Sequence, residues 1–308
     1  MEILFAPMEG ITHPEFRRVN NSFFPGADAY FAPFIAPSAS SNFKPGFLEK
    51  KLPDREYGIN LIPQLLANRA DCFTETAEKL EALGFEEVNL NAGCPSGTVF
   101  SKHKGSGMLA DPDSLDAFLE GIFSSLNMKI SVKTRLGAES ADEFPKLLEI
   151  YNRYPISKLV IHARDRKGMY ASKPDEEMFA WAFRESKNPV CYNGDIVSKE
   201  SLEKLEKTVP GLDSIMVGRG ALRNPALIRV LRGGKDIGEE EFFLYHDALI
   251  REYLESGLSP FYTLERMKEL WDYMKDLFPE EGKTVKQIKK AKSIEEYRAA
   301  VSCLNWSL

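Results

Sequence analysis

Short apolar runs alternate along this chain with longer amphipathic stretches. The runs cover residues 3–8, 29–33, 61–65, 87–91, 129–134, 158–163, 189–193 and 214–218, and several are rich in Val and Ile. Continuous apolar segments of this length are what strands buried on both faces look like. Between the later runs lie stretches with apolar residues at helical spacing: 71–83, 114–126, 142–154 and 198–208. Asp71, Ser114 and Ser198 are expected to cap them, each followed by an acidic residue near the first turn. Strand and helix alternating on this scale predict parallel β/α architecture. Eight candidate strands favour a (β/α)8 TIM barrel, with a doubly wound open sheet as the alternative.

The rhythm changes near residue 235. Gly233, Gly234 and Gly238 interrupt the chain, and the apolar positions over 242–254, 263–278 and 294–304 follow helical spacing with no strand signal. The expected organisation is a barrel over 1–235 and a small all-α helical domain over 236–308.

Composition narrows the class. With 43% hydrophobic and 28% charged residues among 308, the chain is neither disordered, collagen-like nor a disulfide miniprotein. No apolar run approaches the ~18 residues of a membrane span, and the N-terminus lacks the pattern of a signal peptide. Four cysteines without CxxC spacing predict reduced thiols and a cytoplasmic setting. A net charge of −6 argues against a generally basic, non-specific nucleic-acid binder, but leaves room for a local basic groove.

Position along the strands supplies the chemistry. Gln64, Asn91, Lys133, His162 and Asn193 fall at or near the ends of five successive candidate strands. Alternation puts Lys133 and Arg135 on one face, and likewise His162 and Arg164. Taken singly, Lys133 is equally a solvated strand-end lysine and His162 a satisfied core histidine. Converging at the C-terminal mouth, such residues read as an active site. Asn193-Gly194-Asp195-Ile196 and Gly218-Arg219-Gly220-Ala221 follow the seventh and eighth strands, where barrels of this kind commonly hold a phosphate. Lys133 beside a phosphate-anchored cofactor suits a flavin, whose reduced ring is electron-rich.

Cys94 opens the loop after the fourth strand, in Asn91-Ala92-Gly93-Cys94-Pro95-Ser96. No second Cys or spaced His accompanies it, so a metal site is not expected. A thiol at the mouth serves as nucleophile or as general acid. An ordinary thiol pKa of about 8.5 leaves it mostly protonated at neutral pH. Cys72, Cys191 and Cys303 are read as packing residues, the last inside the final helix.

These segments together resemble the tRNA-dihydrouridine synthases, nearly from end to end. The matching pieces are Ala6-Pro7-Met8-Glu9-Gly10, Pro63-Gln64-Leu65, Asn89-Leu90-Asn91-Ala92-Gly93-Cys94-Pro95 and Val132-Lys133-Thr134-Arg135-Leu136-Gly137. Ile161-His162-Ala163-Arg164 and the two glycine turns complete them. The resemblance implies FMN-dependent reduction of particular tRNA uridines to 5,6-dihydrouridine, with NADPH (or NADH) as reductant. It makes Cys94 the general acid toward C5 of the uracil. Pro7 and Met8 would line the flavin, and Gln64, Lys133 and His162 would bond its ring. Asn193, Gly194, Asp195, Gly218 and Arg219 would hold its phosphate. Asn91, Arg135, Arg164 and Tyr170 would face the target nucleotide. Ala163 stands where a glycine is frequent, and Ser101-Lys102-His103-Lys104-Gly105-Ser106-Gly107 departs from the Gly/Ala-rich form of many members.

A base in folded RNA must be extruded before a flavin can stack on it, and its backbone needs a cationic path. Lys102, Lys104, Arg135, Arg164, Arg166 and Lys167 fall on strand ends or mouth-side loops, and the tail adds Lys283, Lys286, Lys289, Lys290 and Lys292. As an isolated run, the tail lysines equally form a solvated helix face. Two other readings remain at this point: an FMN oxidoreductase of a free pyrimidine, and a non-catalytic RNA-binding barrel. The helical tail and basic loops weigh against the first, and the intact Cys94 and Lys133 against the second.

Overall fold

The computed structural model describes residues 1–37, 43, 46–52 and 57–306. Its strands are β1 (Glu2–Phe5), β2 (Ala29–Phe31), β3 (Leu61–Ile62), β4 (Gln64–Leu65), β5 (Glu87–Ala92), β6 (Lys129–Arg135), β7 (Leu159–His162), β8 (Val190–Asn193) and β9 (Ser214–Val217). All neighbours pair in parallel, in the order β3-β2-β1-β9-β8-β7-β6-β5-β4. The two ends of that order, β3 and β4, are one segment parted by Pro63, which has no N–H to give a ladder. Pro63 still accepts from Asn89 N at 2.8 Å, while Ile62 O accepts from Ala32 N at 3.0 Å. The single strand expected over 61–65 is thus two short pieces that close an eight-stave barrel.

Alternation decides which side of each strand meets the helices. Val88, Leu90 and Ala92 of β5 are fully buried and join the large apolar cluster with Phe73, Leu80, Leu115 and Leu119. Glu87, Asn89 and Asn91 alternate with them and face the barrel interior. The interior is divided. Leu4, Ala29, Phe31, Val160, Cys191 and Met216 form a small apolar cluster from β1, β2, β7, β8 and β9. Across from it, β4, β5 and β6 contribute Gln64, Asn89, Asn91, Ser131 and Lys133.

The expected helices occur as Ala70–Ala82, Pro112–Ser125, Phe144–Tyr151 and Lys199–Thr208. Helix Glu176–Glu185 is an addition that the periodicity above does not name. Ser198 caps as expected, in a reciprocal box with Ser201. The other two caps are corrected. Asp111 is the cap before Pro112, accepting from Ser114 N at 3.2 Å, so Ser114 lies inside the helix. Asp71 is already helical and folds back on Arg69 and the amide of Cys72. Ser114 lies one turn after its cap, whereas Asp71 follows Arg69, a cap position with no side-chain capping bond.

After residue 238 come helices Glu239–Glu255, Pro260–Met274, Gly282–Lys290 and Ile294–Val301. Trp271 lies at their centre, donating to Tyr297 Oη at 2.6 Å, and that oxygen lies 2.7 Å from His246 Nε2. They dock on the barrel through Tyr245 against Phe24, at a ring separation of 5.1 Å, and Arg18 paired with Glu252 at 2.6 Å. Cys303 falls beyond the last helix and is exposed, which corrects its reading as a packing residue. Among the described residues no helix is long and apolar enough to cross a membrane.

Candidate active site

At the C-terminal mouth of the barrel lies a cavity of about 270 Å³. Pro7, Met8, Gln64, Asn91, Cys94, Lys133, Arg135, His162 and Tyr170 line it, and so do Glu9, Pro33, Phe34, Gly93, Pro95 and Tyr273. The first nine are residues that sequence reasoning assigns to the site. Strand register explains their meeting: Asn91 is the partner of Lys133, and Arg135 of His162.

Lys133 points inward from β6 and is half-buried. Its Nζ donates to Asn193 Oδ1 at 2.8 Å, and Asn193 Nδ2 donates on to Met216 O at 2.8 Å. Burial, aided by the nearby Arg135 charge, lowers the ammonium's pKa to about 7. Asn193 therefore serves as the bearing for Lys133 beneath the mouth. His162 is held well below its ordinary pKa by burial and then by Arg135, Lys133, Arg164 and Arg219. It is a neutral imidazole, and Arg164 Nη1 lies 3.1 Å from its Nε2, so that nitrogen accepts.

Arg135 is 1% exposed, yet among the described residues no carboxylate pairs with it. It donates to carbonyls instead: Gly93 O at 2.8 Å, Asp165 O at 2.9 Å and Met169 O at 3.2 Å. Arg164 and Arg219 share the carboxylate of Asp195, the latter at 2.6 Å. Burial alone would raise Asp195, but these two guanidiniums hold it below the usual carboxylate range. Tyr170 lies over both sides of this arrangement, its ring 4.3 Å from the Arg219 guanidinium and 5.4 Å from that of Arg135. Gly194 and Gly218 form the turns beside Asp195 and Arg219. A side chain at Gly194 would strike Tyr192 Oη at 2.2 Å, and one at Gly218 would press on Met8 Sδ at 3.3 Å.

Cys94 is placed by its own loop. Asn91 Oδ1 accepts from Gly93 N at 3.1 Å and from Cys94 N at 2.9 Å. Ser106 closes the far end, its Oγ donating to Cys94 O at 2.7 Å. Between them the chain is not irregular, as its composition suggests, but forms helix Gly97–Phe100 and a 3-10 turn over Gly105–Ala110. Arg166 stacks on Phe100 at 3.9 Å and ties this loop to the one after β7. Burial pushes the Cys94 thiol up, outweighing the opposing pull of Arg135 and Lys133.

The Cys94 thiol, the Lys133 ammonium and the Arg135 guanidinium thus share one concavity, with Arg164 and Arg219 paired to Asp195 outside its lining. The sequence pattern described as Dihydrouridine synthase (Dus) matches residues 4–305. The chain belongs to the dihydrouridine synthase family. A probable tRNA-dihydrouridine synthase of Rickettsia conorii is 30% identical over 241 residues, spanning 78% of this chain and 72% of that protein. One from Staphylococcus aureus is 28% identical over 279 residues, spanning 87% and 83%. The tRNA-dihydrouridine synthase B of Pasteurella multocida is 30% identical over 234 residues, spanning 74% and 68%. Among solved structures, the old yellow enzyme homologue of Zymomonas mobilis superposes with a TM-score of 0.56 at 13% identity, over 78% of this chain and 92% of that one. At that identity it speaks to the shared barrel alone.

For this family member, sequence reasoning missed two kinds of residue. Asn89 and Ser131 sit below the cavity, and their signal is polar alternation in otherwise buried strands. Tyr273 comes from helix Pro260–Met274, and no local signal marks it, because only the docking of the terminal helices brings it to the mouth.

Proposed function

We propose that this enzyme reduces uridine in tRNA to 5,6-dihydrouridine, using FMN recharged by NADPH (or NADH), with Cys94 as proton donor. The observation that carries the cofactor is Lys133: a half-buried ammonium at the cavity, with Asn193 Oδ1 as its hydrogen-bond acceptor. Such a group can donate to the electron-rich edge of a flavin ring and tune it. Pro7 and Met8 provide a wall for the ring, with Gln64 and His162 at its polar edge. Arg219, in the turns with Gly194, Asp195 and Gly218, would take the phosphate. When bound, the flavin supplies hydride to C6 of the uracil. The thiol of Cys94, kept protonated by burial, gives its proton to C5, so that one hydride and one proton saturate the double bond. Arg135, Arg164 and Tyr170 would embrace the target nucleotide, while Asn91 supports the donor loop.

The macromolecular substrate is favoured by Tyr273, which makes the terminal helices part of the cavity wall. Helix Gly282–Lys290 buries Val285 and Ile288 and leaves Lys283, Lys286, Lys289 and Lys290 exposed, with Lys292 just beyond. Lys289 pairs with Asp272, the neighbour of Tyr273, so the basic face adjoins the helix that reaches the mouth. We therefore assign 1–235 to catalysis and 236–308 to tRNA, in a cytoplasmic enzyme. The test is direct. The purified protein should be yellow, and should form dihydrouridine in unmodified tRNA but not from free uracil. Cys94→Ala should keep its flavin and its reduction by NADPH, while uridine reduction falls about 10²–10⁴-fold. A protein without flavin bands after reconstitution with FMN, or an alanine variant at full rate, overturns the reading.

A further inference from the structure

Beneath the cavity, the polar half of the barrel interior carries a column of side chains outside the reacting shell. Gln64, Asn89 and Ser131 are register partners on β4, β5 and β6, and all three are fully buried. Hydrogen bonds join them to the donor loop. Cys94 N donates to Asn91 Oδ1 at 2.9 Å and Asn91 Nδ2 to Gln64 Oε1 at 2.8 Å. Gln64 Nε2 then donates to Asn89 Oδ1 at 2.7 Å, and Asn89 Nδ2 to Ser131 Oγ at 2.9 Å.

Chemistry fixes the direction of this chain. The backbone N–H groups of Gly93 and Cys94 can only donate, so the oxygen of Asn91 must face them. Its nitrogen then faces Gln64, and each amide downstream is forced to the same sense. Ser131 accepts at the bottom, which leaves its own proton to point elsewhere. Glu87 is the next inward position on β5, and burial raises its carboxyl. Bonds in series polarise one another, and a single reversed amide would set donor against donor in a dry interior.

We propose that Asn89 and Ser131 are positioning residues for Cys94, acting through Gln64 and Asn91 to hold the thiol in place over the cavity. The proposal rests on the reading of Cys94 as proton donor. The bland alternative is that the column merely fills the barrel with satisfied polar groups. In that case its disruption would cost folded protein and nothing more.

Ser131→Val and Ser131→Thr have nearly the same shape and differ in the hydroxyl, while Ser131→Ala cannot clash. The holoenzyme of each is assayed for uridine reduction and for iodoacetamide labelling at the half-buried Cys94, located by mass spectrometry because Cys303 is exposed. In the valine and alanine forms, kcat should fall roughly tenfold with the KM for tRNA unchanged, as expected for a misplaced catalytic group. Labelling of Cys94 in the folded protein should change by about threefold or more, since accessibility governs thiol reactivity. Threonine should restore both. Unchanged labelling and unchanged kcat per folded molecule in valine and alanine would overturn the proposal. If Cys94→Ala instead proves fully active, the donor role fails, while the labelling change still reports whether the column places the thiol.

Discussion

Cys94 and Lys133 are displaced in opposite senses by the same cause. Burial disfavours the charged form of each, so the thiol is raised and the ammonium lowered, to about 7. For the thiol, the acid form needed for donation persists through neutral pH and is lost only as pH climbs through its raised pKa. The uridine step, measured by single-turnover reoxidation of reduced enzyme with tRNA, should therefore be flat across neutrality and fall only on the alkaline side. A fall beginning below neutral pH would assign the proton to another group. For Lys133 the sign runs the other way. Above about pH 7 the unliganded group is neutral, and an electron-rich ring beside it favours the protonated form, so binding takes up a proton. FMN affinity should weaken as pH rises through that point, and Lys133→Met should weaken binding and abolish the dependence. Fluorescence titrations of flavin at several pH values check both.

At the scale of elements, the donor loop depends on close backbone packing. Gly105 has φ +56, and a Cβ there would lie 2.9 Å from Cys94 Cβ. Gly105→Ala should destabilise the protein by about 1–2 kcal/mol, the cost of a left-handed non-glycine residue. It should also slow uridine reduction more than NADPH oxidation, because in the proposed reaction only the former uses Cys94. Thermal unfolding and the two half-reactions, measured side by side, report these effects. Strands such as β7 and β9 were legible as apolar runs, whereas β5 and β6 alternate apolar with polar residues, and the polar residues at the strand ends stand out. Pro63 breaking the third stave was visible as a residue, but its consequence depends on β2 and β5 lying on either side. The helix caps were less legible. Asp111 precedes a proline and Ser114 follows one turn later, and composition alone does not separate the cap from the residue that answers it.

For the whole molecule, the charge of −6 and the basic tail pull in different directions. If the exposed lysines of helix Gly282–Lys290 meet phosphates, neutralising Lys286, Lys289, Lys290 and Lys292 should raise the tRNA Kd and flatten its salt dependence by up to about one unit of slope per lost contact. Flavin content and NADPH oxidation should stay as they are. Filter binding across a salt series gives the answer, and an unaltered slope would move the RNA path onto the barrel loops. The order of barrel and helices could be read from periodicity. How they fit could not, because Phe24 against Tyr245 and Arg18 against Glu252 are pairs far apart in sequence.

Tyr273 gives that fit a practical edge. Since a ring from the terminal helices forms part of the cavity wall, the pocket is finished only when the last quarter of the chain has docked. Removing these helices would leave the barrel mouth open on one side, so truncation before Pro260 should disable the chemistry as well as the grip on RNA. Anyone exchanging these helices with a relative's to redirect the enzyme must transplant the residue at this position and its seat on the barrel together.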